Sequence, residues 1–380
     1  MRRTFQYRAK LSDETEAHCL NWIERCRTLY NLALEQRIMI YNQSRRYISF
    51  YEQCSQLPEL KEAFPEMSLV GSQCLQDVLR RLDRGFKAFF QRVETGKAGF
   101  PRFKSFNRYN SFTLTQAGWK LEGRYLRLAK IGRLRLFLSR PIEGNIKTVT
   151  IKRSSTGKWF VSFSCDEVQP RVYPVTGQAI GIDVGIESFA VDSEGRSVDN
   201  PQFLKGSLAK LRVKQRMLCR RKRGSHRRRI ARLAVARLHE KVSHQRKDFL
   251  HKVSNRYINN FKYIAVEDLK ICNMVRNRHL SRSIADSSWG LFFQMLSYKA
   301  EEAGRVLVKV DPRGTSQRCS GCGARVPKTL SVRIHACPYC GIVLDRDENA
   351  ARNIQTLGQS VKAPTWSDVG SCVAFESPAL

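Results

Sequence analysis

The chain has no long apolar stretch and few acidic residues. Its longest stretch without a charged residue, Ser287 to Tyr298, is too short to span a bilayer, and no apolar core follows Met1-Arg2-Arg3. These absences predict a soluble cytoplasmic protein with no membrane partner. Only 34 Asp and Glu oppose 67 Lys and Arg, which leaves a formal net charge of +33. Such a surplus repels itself unless a polyanion neutralises it, so nucleic acid is the expected partner. A basic membrane-surface protein is disfavoured, because the charge is spread over most of the chain.

Cysteines arranged for disulfide bonds are also scarce. Eight of the twelve occur singly, and without export we expect them to be reduced and mostly structural. The other four form two CxxC motifs fourteen residues apart, Cys319/Cys322 and Cys337/Cys340, each followed by glycine. Four thiolates so spaced can close a tetrahedral zinc site with bonds of about 2.3 Å, a structural site because no position stays open. A redox pair is the alternative, disfavoured by the duplication, and His335 is expected to be surplus.

The first hundred residues predict two long helices after a short strand. One helix begins near Asp13, and the second carries an apolar stripe from Leu75 to Val93. A second face of that helix has no acid at the same spacing, so we predict nucleic-acid contact there, with an ordinary solvated face as the alternative. The residues of that face are Gln73, Gln76, Arg80, Arg84 and Lys87.

The composition changes after glycines and a proline break the second helix. Arg102-Phe103-Lys104 interleaves basic and aromatic residues, which suits phosphate contact beside base stacking, although core aromatics in a loop would give the same pattern. From Ser111 to Cys165 short alternating runs separated by turns predict about five strands and a small barrel.

The third region, from about Gln178, predicts a strand hairpin and then helices alternating with strands, which is a mixed α/β sheet. Its segment Lys205–Arg232 holds thirteen Lys and Arg and no acid. We expect its centre to bind phosphate or to stay disordered. The residues at that centre are Arg220, Arg221, Lys222, Arg223, Arg227, Arg228 and Arg229.

Three acidic segments lie at predicted strand or helix ends in this region: Asp183, Glu267 and the cluster Asp345-Arg346-Asp347-Glu348. Carboxylates brought close together repel unless divalent cations compensate. In a two-metal site such acids hold ions about 3.5 to 4 Å apart, which activate water and stabilise the leaving oxygen of a phosphodiester. The alternative for Asp183 is an aspartate that caps a tight turn.

In combination these motifs resemble the TnpB family of transposon-encoded, RNA-guided DNA endonucleases, relatives of the type V CRISPR effectors. The matching segments are Gly181-Ile-Asp-Val-Gly185, Val266-Glu-Asp-Leu269, Thr315-Ser316 before the first CxxC motif, Asp345-Arg-Asp-Glu-Asn-Ala-Ala-Arg-Asn-Ile354, and Gly99-Phe-Pro-Arg-Phe-Lys104. The resemblance covers roughly residues 1–357. Where TnpB proteins often carry a small or apolar residue, this chain has Glu348.

The resemblance implies a multidomain α+β protein. Residues 177–357 would be a RuvC-like nuclease domain with the RNase H-like mixed sheet and a zinc ribbon inserted at 315–343. A β-barrel wedge domain (1–11 and 98–176) would precede it and carry a helical recognition domain (12–97), and 358–380 would be a disordered tail. Asp183, Glu267 and Asp347 would be the catalytic residues and magnesium ligands, with Asp345 a less favoured ligand.

The predicted function is RNA-guided, metal-dependent cleavage of DNA that is complementary to a guide RNA and next to a short flanking motif. The partners would be guide RNA and double-stranded target DNA, with a monomer on one RNA favoured and prokaryotic nucleoid association when bound to DNA. One alternative is a guide-dependent DNA-binding regulator that does not cut. Another is a guide-independent nuclease or transposase on the same scaffold.

Overall fold

The first strand of the chain lies in the middle of a seven-stranded antiparallel sheet in the computed structural model, which describes residues 1–96, 99–170, 173–174, 177–329 and 331–360. The order is β2-β6-β7-β1-β5-β4-β3. Strand β1 pairs with β5 on one side and with β7 on the other. Its alternate residues Phe5, Tyr7 and Ala9 are buried, so one face of the strand packs into the core. The strands are β1 (Arg3–Lys10), β2 (Ser111–Leu114), β3 (Trp119–Glu122), β4 (Tyr125–Leu128), β5 (Gly132–Phe137), β6 (Asn145–Arg153) and β7 (Trp159–Asp166).

Four helices separate β1 from β2: the two long helices that the sequence predicts, and two short ones between them. They are α1 (Asp13–Ser44), α2 (Phe50–Ser55), α3 (Leu57–Ala63) and α4 (Ser72–Glu94), with short 3₁₀ turns at Pro65–Leu69 and Phe106–Arg108. The apolar stripe of α4 is buried through Phe86, but Phe90 and Val93 are each 49% exposed, so the predicted stripe leaves the core in the last two turns. These elements belong to the first of two compact units, Met1–Gln169 and Pro170–Leu380.

The second unit contains a five-stranded mixed sheet with the order β10-β9-β8-β11-β12. Strands β8 and β9 form the predicted antiparallel hairpin, whereas β8, β11 and β12 are parallel. The strands are β8 (Ala179–Val184), β9 (Ser188–Asp192), β10 (Ser197–Asp199), β11 (Tyr263–Glu267) and β12 (Val306–Val310).

Six helices accompany this sheet, and the strongly basic segment forms two of them rather than a disordered region. They are α5 (Phe203–Cys219), α6 (His226–Asn260), α7 (Ile271–Met274), α8 (Ser281–Ser287), α9 (Trp289–Glu302) and α10 (Arg346–Ser360). A two-stranded ribbon of β13 (Ile334–Ala336) and β14 (Val343–Asp345) precedes α10. None of the helices in the described part of the chain has the length and apolarity to cross a membrane.

Helix α10 packs unusually close to the sheet, and two glycines allow this approach. A Cβ on Gly181 would overlap the carbonyl oxygen of Ala351, and one on Gly358 would overlap the side chain of Ala265. Since α10 continues to Ser360, residues 358–360 are helical and the sequence pattern placed the start of the tail too early. The remainder of the predicted tail, 361–380, lies outside the described residues.

Candidate active site

Two of the predicted acids lie side by side at the carboxyl ends of neighbouring parallel strands. Ile182 of β8 is paired with Val266 of β11, and Asp183 and Glu267 follow directly. Because in-register residues of parallel strands point to the same face of a sheet, the two carboxylates share one face. The strand pairing thus joins two segments that are far apart in sequence.

The third acid, Asp347, lies in the first turn of α10, and its neighbour Asp345 caps that turn. One carboxylate oxygen of Asp345 accepts hydrogen bonds from the backbone N–H groups of Asp347 (2.8 Å) and Glu348 (3.2 Å). Glu348 is paired instead with Arg352, one turn along the helix, at 2.6 Å. Of the acidic cluster, only Asp347 is therefore free of a role within α10.

We call Asp183, Glu267 and Asp347 the carboxylate site, because the charges of the other two acids act on Asp183. Burial raises the pKa of Asp183 well above its usual range, and the charges of Glu267 and Asp347 raise it further. Burial also raises the pKa of Glu267, against a lowering effect of its hydrogen bond from Thr315. For Asp347, burial and then Asp345 raise the pKa, whereas Arg333 lowers it.

The donor set of the carboxylate site fits a hard divalent cation. Three acids whose ionised forms disfavour one another are stabilised by a bound cation, and carboxylate oxygens are the ligands that Mg²⁺ prefers. Arg333 contacts Asp347 at 3.7 Å and Glu187 at 2.6 Å, and the charge of Arg346 lowers the pKa of both Asp183 and Asp347. Among the described residues, the four cysteines form a group close enough to hold one ion, and the three carboxylates do not form such a group.

The four cysteines of the two CxxC motifs form a tighter group. Their sulfur atoms all lie within 4.8 Å of one another, with Cys319 Sγ 3.5 Å from Cys340 Sγ and Cys322 Sγ 3.6 Å from Cys337 Sγ. Sulfurs bound tetrahedrally to one zinc ion at about 2.3 Å are separated by about 3.8 Å, so this arrangement fits zinc. His335 lies fully buried beside Lys328, outside this group, which agrees with its expected surplus.

Each CxxC motif with its glycine forms a tight turn, which we call a knuckle, and both knuckles contain the same local hydrogen bond. The N–H of Gly323 donates to Cys319 O at 2.9 Å, and the N–H of Gly341 donates to Cys337 O at 3.0 Å. Both glycines have positive φ, 74° and 75°, a conformation that glycine adopts without strain. The CxxCG pattern thus aims two thiols of each knuckle at the same point.

The structure separates the predicted nucleic-acid residues of α4 into two groups. Gln73 accepts hydrogen bonds from the N–H groups of Gln116 and Ala117, both at 3.0 Å, so it holds a loop. Lys87 is paired with Asp83 at 3.1 Å. The other three positions are exposed, and the Arg80 guanidinium stacks over Phe50; they are Gln76, Arg80 and Arg84.

The two other predicted contact regions are mostly open to solvent. Arg102 and Phe103 are exposed, whereas Lys104 is held by Asn31 through its backbone and lies over the ring of Tyr30. In the first turn of α6, Arg228 donates to the carbonyls of Leu218 and Arg221 and so ends α5. The other six predicted residues, in the α5–α6 turn and the start of α6, are exposed: Arg220, Arg221, Lys222, Arg223, Arg227 and Arg229.

The sequence analysis missed a basic surface on the first unit, which we call the basic sheet face. It consists of the solvent-facing side chains of β1, β4 and β5, namely Arg8, Lys10, Tyr125, Arg127, Arg133, Arg135 and Phe137. Arg133 lies over the ring of Tyr125 at 4.6 Å and Arg8 over Phe137 at 5.7 Å. Within the described residues none of the five cations has a carboxylate partner. Basic residues at every second position of Arg8–Lys10 and Arg133–Arg135 were the available signal.

Three protein-family models match parts of the chain. The family described as "Probable transposase" (OrfB_IS605) matches residues 162–278, and "Cas12f1-like, TNB domain" matches 289–354, which includes the cysteine site. "Helix-turn-helix domain" matches 1–46, although those residues form β1 and one continuous helix here.

Full-length relatives are similar to most of the chain. A protein of Streptomyces pristinaespiralis, provisionally named an RNA-guided DNA endonuclease, is 36% identical over 372 residues, covering 96% of this chain and 91% of that protein. InsQ of Escherichia coli (strain K12), which has the same provisional name, is 31% identical over 382 residues and covers 95% and 93%. The solved structure of a Cas12f1–sgRNA–target DNA complex shares the fold, with a TM-score of 0.60 at 16% identity over 90% of this chain and 82% of that one.

Proposed function

We propose, from the premise that the chain belongs to the TnpB (OrfB_IS605) family, that it is an RNA-guided DNA endonuclease. The observation that carries the proposal is the carboxylate site, in which Glu267 and Asp347, from two distant segments, raise the pKa of the buried Asp183 within a protein of net charge +33. Relatives that span more than nine-tenths of the chain are provisionally named for the same activity. Guide RNA and target DNA would be its partners, and a transposon would encode it.

We further assign the second unit to a RuvC-like nuclease domain with the RNase H fold. The mixed sheet with β8, β11 and β12 parallel, and α10 packed against it, supports this assignment. The sheet of the first unit would be the wedge domain and helices α1–α4 the recognition domain. In these domains the DNA motif that flanks the target would be read.

Asp183, Glu267 and Asp347 would hold divalent magnesium, which supplies an activated water and stabilises the leaving oxygen of the phosphodiester. The protein's own part is to aim these carboxylates at one place. Asp345 contributes by capping α10 and so fixing the backbone of Asp347. The Thr315 hydroxyl contributes by donating to Glu267, which favours its ionised form. Zinc at the four cysteines would be structural.

The carboxylate site can be tested with neighbouring acids as matched controls. Glu267→Gln should abolish cleavage of a guide-matched DNA and leave RNA and DNA binding within about twofold, since binding rests on base pairing and on the phosphate backbone. Asp268→Asn, one residue away, should retain cleavage because Asp268 is paired with Lys270 on the surface. Cleavage by Glu267→Gln at the parent rate would contradict the assignment.

Guide dependence needs a separate experiment. The protein is expressed with its native downstream DNA, and the bound RNA is sequenced. A defined transcript that ends in variable sequence, together with loss of cleavage after RNase treatment, is expected. Cleavage that persists after RNase would instead indicate a guide-independent nuclease.

A further inference from the structure

We propose that the zinc ribbon, residues 315–343, sets the geometry of the carboxylate site, and that Thr315 is the positioning residue through which it acts on Glu267. This inference rests on the proposed function, because it takes Asp183, Glu267 and Asp347 as ligands of a divalent cation. It predicts that zinc binding and divalent-cation binding are coupled.

The first link is a hydrogen bond between the ribbon and a metal-binding acid. The Thr315 hydroxyl donates to Glu267 Oε1 at 2.6 Å, and Thr315 is only 4% exposed, so water does not replace it readily. The same hydroxyl lies 3.2 Å from Pro312 O, but the shorter bond to a carboxylate is the stronger one. One oxygen of Glu267 is thereby fixed, and the other is left for a cation.

The second link joins the first zinc knuckle to the helix that carries Asp347. Asn349 is fully buried; its Oδ1 accepts from Ser320 N at 2.9 Å, and its Nδ2 donates to Arg318 O at 2.7 Å. One turn further along α10, Asn353 Nδ2 donates to Thr315 O at 2.8 Å and to Arg318 O at 2.7 Å. Two asparagine amides of α10 therefore hold both Thr315 and the segment that begins at Cys319.

The third link comes from the other half of the ribbon. Arg333 directly precedes β13, whose pairing with β14 leads to Asp345 and the start of α10, and its guanidinium contacts Asp347 at 3.7 Å. The backbone N–H of Arg346 also donates to Arg333 O at 2.7 Å. Zinc ties this half, through Cys337 and Cys340, to the half that contains Thr315. Without it, the contacts of each half with α10 and Glu267, together with the contacts of Lys328 with Ser316 O and His335, would keep their relative positions.

These links place Thr315 and Asn349 immediately outside the metal ligands. Replacing partners in such positions typically weakens metal binding about 10- to 100-fold, because the ligand is no longer oriented. By linkage, a change in zinc occupancy that alters affinity for the divalent cation implies the reverse effect of equal size.

The positioning role can be tested by Mn²⁺ binding, measured from the free Mn²⁺ signal in electron paramagnetic resonance, on the zinc-loaded protein with its RNA. Thr315→Val keeps the shape of threonine and removes the hydroxyl, whereas Thr315→Ser keeps the hydroxyl. Thr315→Val should weaken Asp183-dependent Mn²⁺ binding by about 10-fold or more, and Thr315→Ser should stay within about threefold of the parent. Zinc content by mass spectrometry should be unchanged in both.

Equal Mn²⁺ affinity of the Val and Ser variants would overturn the positioning role while leaving the proposed function standing. Loss of zinc from Thr315→Val would also overturn it, since the effect would then be structural. Absence of any Asp183-dependent Mn²⁺ binding in the parent protein would overturn both proposals.

The zinc arm uses two exposed cysteines as a matched pair. Cys340→Ser removes a zinc ligand, and Cys219→Ser changes a single cysteine on α5. We expect only Cys340→Ser to lower both zinc content and Mn²⁺ affinity, the latter by about 10-fold. Parent-like Mn²⁺ affinity in zinc-free Cys340→Ser would overturn the coupling.

Discussion

Asp183 directly follows the last residue of β8 that pairs with β11, at a position where burial and two other carboxylates oppose its charge. Gly185, two residues further along, lies in the tight turn to β9, where a Cβ would come within 2.9 Å of the carbonyl oxygen of Ser188. A charged carboxylate that is buried beside other carboxylates reduces the stability of the fold when no cation is bound. The penalty should be measurable in the protein itself.

Asp183→Asn should stabilise the metal-free protein, because it removes a charge that is less stable in the folded than in the unfolded state. The pKa of Asp183 is raised in the fold, so the penalty is present above that raised pKa and disappears as the pH falls through it. We expect Tm at pH 8 in EDTA to rise by roughly 2–4 °C, and the gain to shrink as the pH approaches the ordinary carboxyl range. In millimolar Mg²⁺ the order should reverse, because only the parent gains stability from the cation. A lower Tm of the variant in EDTA would contradict this account.

The sequence motifs predicted the cysteine group and marked the candidate acids, but they did not reveal the residues whose hydrogen bonds position these side chains. The motifs that contain Glu267 and Asp347 mark these two acids as candidates, whereas the role of Asp345 as a cap becomes visible only in its hydrogen bonds to the first turn of α10. Thr315 was used only as part of a motif, and Asn349 was not assigned a role. Their partners lie 48 and 29 residues away, and a single sequence does not encode such distances in any local pattern.

At the scale of elements, the base of the basic α5–α6 hairpin is held by one buried acid. Asp286 of α8 accepts from the N–H groups of Leu204 and Lys205 at 3.0 to 3.1 Å, and from Arg246 at 2.7 Å. It replaces a cap at the start of α5, where Gln202 has a φ of 44° and makes no side-chain cap bond. One carboxylate thus ties α5, α6 and α8 together.

Asp286→Ala should destabilise the protein by about 1–3 kcal/mol, because it removes a helix cap and leaves Arg246, which is 22% exposed, without its partner. Asp248→Ala is the matched control, since Asp248 is 65% exposed and pairs with Lys252 on the surface of α6. That control should change stability by less than about 0.5 kcal/mol. Urea unfolding measures both, and equal effects would contradict the capping role.

Sequence periodicity predicted the elements well where packing follows local pattern and poorly where charge dominates. The β8–β9 hairpin and the buried part of α4 follow their apolar patterns. The centre of the segment Lys205–Arg232, which we expect to bind phosphate or to stay disordered, lies between two helices whose packing includes the buried Leu211 of α5 and Val242 of α6. The basic sheet face escaped notice because its cations are collected from three strands by pairing, and no single strand carries more than two of them.

The basic sheet face should contribute to RNA binding. Arg133→Gln with Arg135→Gln removes two cations that lack a carboxylate partner, while Lys147→Gln with Lys252→Gln removes the same charge from surface ion pairs. For single-stranded RNA, the first pair should lower the slope of log affinity against log salt by about 1.4, or about 0.7 for each lost phosphate contact. Filter binding over a salt series measures the slopes. The same slope in both double variants would contradict a role for this surface.

At the scale of the whole molecule, the net charge of +33 affects the stability of the folded state as well as binding. Self-repulsion among 67 basic residues destabilises a folded state that has no polyanion around it. Net charge is known without the fold, so the sequence alone predicts nucleic acid as the class of partner. Which surfaces carry the partner depends on pairing and packing, and composition does not reveal it.

Salt should consequently act in opposite directions on the free protein and on its RNA complex. Raising NaCl from 0.1 to 0.5 M shortens the screening length from about 10 Å to roughly 4 Å, which weakens self-repulsion and should raise the Tm of RNA-free protein. The same change weakens RNA binding and should lower the Tm of the complex toward that of the free protein. Differential scanning fluorimetry on matched samples, with and without RNase treatment, measures both trends. A Tm of the RNA-free protein that falls with NaCl would show that specific ion pairs, such as Arg246–Asp286, outweigh the repulsion of the surplus charge.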